Sequence, residues 1–240
     1  MKQFDISVVD KSYEGTLGFS LKHKSSDYIV CIYCCYLAPE NSHWGRNAVG
    51  FYAHLLNQIY MQGDMDDCII CGDMNSRVGE LLDYIKDVDD ISPRKCIDKV
   101  VNQHGHSLIE FLLESKFVML NGRTNEDISA TCITSRGSSM VDYTLVPQHC
   151  LPHFSSFKIS SALDLVHDFN LQGLMNSRSK LPDHALITFK LSTTCIIPNK
   201  NSTPEDSDND NVVFRKYDYG NMRADFGKSE ICRQAVIELI

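Results

Sequence analysis

DDCIICGDMNSR, residues 66–77, is a short apolar run that ends in Gly72, Asp73, Met74 and Asn75. The run reads as a strand. Asp73 and Asn75, two apart at its C-terminal end, can then face the same side, and Gly72 permits close approach of a ligand. A half-buried carboxylate is costly unless it is paired or binds a metal. A carboxylate that can activate water, beside an amide that can hydrogen-bond a phosphoryl oxygen, suits phosphoester hydrolysis. The plainer reading is an Asp-x-Asn turn after a strand.

Two further motifs repeat the pattern of an acid at the edge of an apolar run: SSMVDYTLV at 138–146 and LPDHALITF at 181–189. Alternation puts Asp142 on the face opposite Val141, Tyr143 and Leu145. There it is either a surface Asp on an edge strand or an acceptor that orients a histidine. Asp183 and His184 are adjacent just before a strand, and adjacent side chains diverge on an extended chain. The expectation is Asp183 toward a metal and His184 toward a substrate, although a lone histidine is commonly structural or exposed, and a pairing with Asp142 would favour catalysis. Three such carboxylates in one domain suggest a shared site.

Working outward, residues 4–36 alternate as three strands joined by turns. Helical spacing of Val49, Tyr52, Ala53, Leu56, Ile59 and Tyr60 predicts an amphipathic helix over 47–62. A charged stretch, 80–99, reads as loop with a short helix. SLIEFLLES reads as a second helix with Ser107 as its N-cap, and FVML as a strand entering an Asn-Gly-Arg turn. Strands surround Asp142 and follow His184. This interleaving predicts a layered α/β sandwich rather than a simple βαβ repeat. Residues 192–211, rich in Ser, Thr, Asn, Asp and Pro, read as a disordered linker, and 212–240 as the helical start of a downstream region.

The 240 residues suffice for one sizeable core with an appendage. No run of 18 apolar residues appears that could span a bilayer. The start, MKQFDISVVD, lacks a secretory signal, so the expected location is intracellular, nuclear or cytoplasmic. Two C-x-x-C spacings, Cys31 with Cys34 and Cys68 with Cys71, fall inside strands and point to opposite faces, so neither pair closes on one metal. The formal charge of −8 argues against a strongly basic nucleic-acid surface. Glu205, Asp206, Asp208 and Asp210 belong to the linker, however, and a divalent cation at the motif carboxylates would invert the local sign. A phosphate substrate stays compatible with the balance. His43, Trp44 and Arg46 form a loop that could touch nucleic acid or simply be exposed. His104 and His106 alternate at a helix entry and could chelate a metal, but nothing nearby completes a coordination shell.

Gly-Asp-x-Asn, then Asp-Tyr after a Ser-rich turn, then Asp-His opening a final strand resembles the endonuclease/exonuclease/phosphatase superfamily. Within it, NQHGHSLIEFLLESKFVMLNGR at 102–123 resembles the endonuclease domain of non-long-terminal-repeat retrotransposons. The similarity covers residues 4–191. It implies a four-layer α/β sandwich, with two mixed, mainly antiparallel sheets face to face and helices outside. The implied activity is Mg²⁺-dependent hydrolysis of a DNA phosphodiester, with Mn²⁺ as an alternative ion and a reverse transcriptase as a possible downstream domain. Position by position, Asp73 resembles the residue that activates water and Asn75 the one that hydrogen-bonds the phosphate. Asp142 and His184 resemble the orienting pair, Asp183 a metal ligand, and Tyr36 a tyrosine that contacts the scissile phosphate. Without the resemblance, Tyr36 reads equally as core.

The chain departs from the pattern in one respect. Superfamily members begin with a strand carrying an Asn, then a helix and a strand ending in a metal-binding Glu, and neither strand is found here. A sandwich incomplete at its N-terminus is therefore expected. The alternatives are a catalytically inactive remnant or binding module, and a cellular phosphoesterase of the same superfamily.

Overall fold

A computed structural model describes residues 4–26, 28–42, 47–61, 67–123, 129–175 and 180–192. The expected linker, apart from Ser192, and the helix beyond it lie outside the described residues, as do His43, Trp44 and Arg46.

The chain opens with an antiparallel meander, β1 (Phe4–Asp10), β2 (Thr16–His23) and β3 (Ile29–Tyr36). Gly15 turns β1 into β2 at φ +85°, where a Cβ would meet the Tyr36 carbonyl oxygen at 2.2 Å, a conformation natural only to glycine. Helix α1 (Ala48–Met61) then crosses over to β4 (Asp67–Asp73), which pairs parallel to β3. A parallel pair needs such a crossover, and its consequence is positional: both strands end at the same edge. Helix α2 (Gln103–Ser115) and the short β5 (Phe117–Met119) follow. A small hairpin, β6 (Cys132–Thr134) with β7 (Gly137–Ser139), precedes β8 (Asp142–Pro147), which runs antiparallel to β4 and starts where β4 ends. The main sheet has the order β1-β2-β3-β4-β8-β5.

Its two faces have different partners. Tyr33, Ile70, Tyr143 and Leu145 on one face pack against Phe51, Tyr52 and Leu55 of α1 and Leu108, Phe111 and Leu112 of α2. Each fully buried side chain of this size contributes about 1.5–3 kcal/mol. On the other face Val30, Ile69, Val118 and Val146 meet Phe154, Phe157 and Ile159. These last belong to β9 (Phe154–Ser160), which pairs antiparallel with β10 (Leu186–Leu191) in a second sheet of two strands among the described residues. The short α3 (Ala162–Asp168) flanks β9, tied by Lys158 to Asp168 at 3.5 Å and started by a Ser161 capping box. Helices, sheet, sheet and helix make the expected α/β layering.

Two local expectations are corrected. Helix α2 starts at Gln103, with Asn102 as N-cap accepting from the Gly105 amide, and Ser107 is buried inside it. His104 therefore lies in the first helical turn. Residues 80–99 contain no helix and are pinned by charges. Asp83 and Arg123, with side chains 1% and 3% exposed, form a bidentate pair whose Asp also accepts the Met119 amide. Arg77 grips Asp98 through two hydrogen bonds, 2.8 and 2.6 Å. Ionic anchors replaced the apolar periodicity that a helix would need. All cysteines among the described residues are free. In the parallel register Cys31 lies opposite Cys68 and Cys34 opposite Cys71, so each C-x-x-C pair is split between faces as expected.

Candidate active site

Three strands bring the motif residues to one edge of the main sheet. The β3–β4 register sets Tyr36 opposite Asp73, and the β4–β8 register sets Asp73 opposite Asp142. Register partners sit on neighbouring strands about 4.8 Å apart with side chains on the same face. The fourth participant comes from the far end of the chain. Cys132 of β6 bridges His184, the Ile133 amide donates to the Asp183 carbonyl at 2.7 Å, and the Ala185 amide donates to the Thr131 carbonyl at 2.8 Å. The small hairpin thus clips the Asp-His motif beside β8.

The imidazole of His184 meets the Asp142 carboxylate through Nδ1, 2.9 and 3.0 Å from its two oxygens. A carboxylate only accepts, so Nδ1 carries the hydrogen. Nε2 then faces Asp73, 4.0 Å from Oδ2. Burial acts to lower the pKa of His184, but the hydrogen bond and charge of Asp142, with the charges of Asp73 and Asp183, outweigh it and hold the imidazole above its usual value. Burial pushes the Asp73 carboxyl up to about 6, and the negative charge of Asp142 adds to this. Hydrogen bonds from Asn75 and the charge of His184 offset part of the rise. Such a value is near the range in which a carboxylate serves as a general base at neutral pH.

Asn75 holds Asp73 directly. Its backbone amide donates to Oδ1 at 2.9 Å, and its side-chain amide donates to Oδ2 at 3.1 Å and to the Leu37 carbonyl at 2.8 Å. Both side-chain hydrogens are thereby engaged, at a backbone φ of +44° that Asn tolerates better than most residues. Tyr36 is 55% exposed, so the reading of this ring as core is excluded. Asp183 is exposed and clusters with His184 and Cys132, their ligand atoms within 4.8 Å of one another.

Several supporting residues escaped sequence reasoning. Thr131 Oγ1 accepts the amides of Val141 and Asp142 at 3.0 Å each. Asn121 donates to the Asp142 carbonyl and accepts the Thr144 amide, which fixes the start of β8. Asn102, besides capping α2, accepts the Arg77 amide at 2.8 Å and donates to the Asn75 carbonyl at 3.0 Å, so α2 is moored to the loop after Asp73. Gly105 is required there, because a Cβ would lie 1.9 Å from the Arg77 carbonyl oxygen. Only the Asn-x-x-Gly spacing hinted at this. Beside Asn75 opens a cleft of about 550 Å³ lined by polar groups including Asn41, Ser42, Arg77, Asn102 and Ser139.

The donors of Asp73, Asp142 and His184 all lie within 4.8 Å of one another. Two carboxylates facing each other across β4 and β8 repel, which adds to the effect of burial on Asp73, and a divalent cation would relieve that repulsion. This acidic and imidazole group is suited to a metal.

An endonuclease-reverse transcriptase family model matches residues 30–164. The chain belongs to this family. The match includes Tyr36, Asp73, Asn75 and Asp142, and ends before Asp183 and His184. Among solved structures, the endonuclease domain of TRAS1, a telomere-specific non-LTR retrotransposon, is 15% identical with a TM-score of 0.50, over 79% of this chain and 67% of that one. The Neisseria 3′ phosphatase NExo bound to product DNA hairpin is 12% identical with a TM-score of 0.48, over 78% and 70%. The 3′-5′ exonuclease NExo of Neisseria meningitidis gives 13%, 0.46, 78% and 71%. No curated protein matches the sequence. The family and fold make the chain an enzyme of the nuclease and phosphoesterase class. No helix among the described residues is long and apolar enough to cross a membrane.

Proposed function

We propose that this chain hydrolyses DNA phosphodiesters, nicking one strand as the endonuclease portion of a retrotransposon polyprotein with a downstream reverse transcriptase. The observation that carries the reading is the convergence of Asp73, Asp142 and His184 from positions far apart in sequence. The similarity in fold to a retrotransposon endonuclease domain agrees with it.

In the proposed reaction Asp73, held by Asn75, takes a proton from water. The resulting hydroxide attacks phosphorus in line with the leaving oxygen, whose bond to phosphorus then breaks. Asp142 keeps the His184 ring oriented so that Nε2 meets a phosphoryl oxygen. Tyr36, exposed beside Asp73, contacts the same phosphate. Asn75 serves chiefly as a positioning group, since its amide hydrogens are committed to Asp73 and Leu37. Asp183 would help to hold Mg²⁺, or Mn²⁺, which would supply neutralisation of the charge developing on the phosphoryl and leaving oxygens.

The test is nicking of supercoiled plasmid in Mg²⁺ by the full chain and by His184→Ala. Nicking by the first, reduced by at least about 100-fold in the second, supports the proposal. Equal rates refute it. Plasmid retention without nicking by either would move the assignment to a binding module, consistent with the absence of any Glu from the acidic cluster among the described residues.

A further inference from the structure

At the opposite end of β4, six residues and about 20 Å from Asp73, lies a second cluster unrelated to the phosphodiester site. Asp67, Cys150 and His153 each present a ligand atom, all within 4.8 Å of one another. Asp67 is 4% and Cys150 1% exposed, and both sit against the apolar layer between the two sheets. Cys150 and His153 belong to a 3₁₀ turn, Gln148–His153, that links β8 to β9. In a 3₁₀ helix side chains at i and i+3 eclipse, so this C-x-x-H spacing, unlike the C-x-x-C pairs on strands, aims both groups the same way.

One observation points to a missing partner. Nδ1 of His153 is buried and has no hydrogen-bond partner, although burying an unpaired ring nitrogen is costly. The Cys150 thiol donates to Oδ1 of Asp67, and the Tyr28 hydroxyl donates to Oδ2 at 2.9 Å. That is the arrangement of an outer hydrogen bond holding a ligating carboxylate in place.

We infer that Asp67, Cys150 and His153 form a binding site for a zinc-class cation, distinct from the Mg²⁺-type catalytic site, that staples β4 of the main sheet to the turn leading into β9 of the second. The donor set decides the ion. Thiolate and imidazole suit Zn²⁺ and disfavour Mg²⁺ or Ca²⁺, which take oxygen. Three protein ligands leave one tetrahedral position for water. On binding, Cys150 gives its thiol proton to solvent and the sulfur becomes the third ligand.

The full chain is stripped with chelator, then titrated with Zn²⁺ during thermal melts and with Co²⁺ while its electronic spectrum is recorded. The expected result is one tight equivalent, a thiolate-to-cobalt charge-transfer band in the near ultraviolet, and a Tm increase of about 5–10 °C at a hundredfold excess over Kd. Cys132→Ser is the essential control, because Cys132 lies beside Asp183 and His184. The band and the Tm increase should persist in Cys132→Ser, vanish in Cys150→Ser and weaken in His153→Ala. The last variant removes the orphan nitrogen and should fold at least as well as the parent without metal. A band absent from the parent, or lost only in Cys132→Ser, overturns the inference.

Discussion

Replacing Asp73 by Asn should make the metal-free protein more stable, and by an amount that depends on pH. Folding raises this carboxyl from 3.8 to about 6, which corresponds to about 3 kcal/mol of penalty on the charged form. The folded state binds the proton more tightly than the unfolded one. The penalty is therefore absent below about pH 4, grows between pH 4 and 6, and is complete above about pH 7. Asn carries no such charge, but its amide faces the Asn75 amide that now donates to Oδ2, a loss of about 1 kcal/mol. The variant should be about 1 kcal/mol less stable than the parent at pH 4 and about 2 kcal/mol more stable at pH 8. Urea unfolding at a series of pH values, in chelator, reads the difference directly. Millimolar Mg²⁺ should shrink the gap at pH 8, because the ion stabilises the carboxylate and has less to bind in the variant. A variant that is destabilised equally at pH 4 and 8 would refute the electrostatic picture of the site.

Other perturbations test the scaffold and the His-Asp pair. Arg123→Ala leaves Asp83 buried without its partner and should cost about 3–5 kcal/mol in chemical denaturation. Asn102→Ala removes the α2 cap and its grip on the loop after Asp73; a loss of about 1–2 kcal/mol is expected, with a lower kcat and little change in KM. The His184 pKa, followed by NMR titration, should lie above 6.5 and fall in Asp142→Asn. A group raised in this way contributes stability that is present below its unfolded pKa and fades as pH rises through the folded one. A His184 titration unchanged by Asp142→Asn would exclude the pairing.

Much of this fold was legible because its elements obey local rules. Alternation in β2 and β3 and the i, i+3, i+4 spacing of α1 are carried by side chains that bury one face. The Asp142–His184 pair could be anticipated only through the family resemblance, since the residues alone left Asp142 open between a surface position and an acceptor for a histidine. The start of α2 was misplaced because the Asn102 side chain is engaged three ways, with helix and loop, and only the fold displays the second use. The loop over 80–99 has no periodic signal, since Asp83, Arg94 and Asp98 find their partners at residues distant in sequence. Cys132 and Thr131 were invisible as site residues for a similar reason. Their relation to His184 and Asp142 arises from hairpin placement, which no spacing encodes.

Nicking of supercoiled plasmid in Mg²⁺ by the parent, by Asp142→Ala, by His184→Ala and by the double variant tests most directly whether these distant residues act as one unit. Each single change should lower the rate by about 100-fold or more, and the double should be no slower than the worse single. Losses that multiply in the double variant, or rates unaffected in either single, would contradict a shared catalytic site.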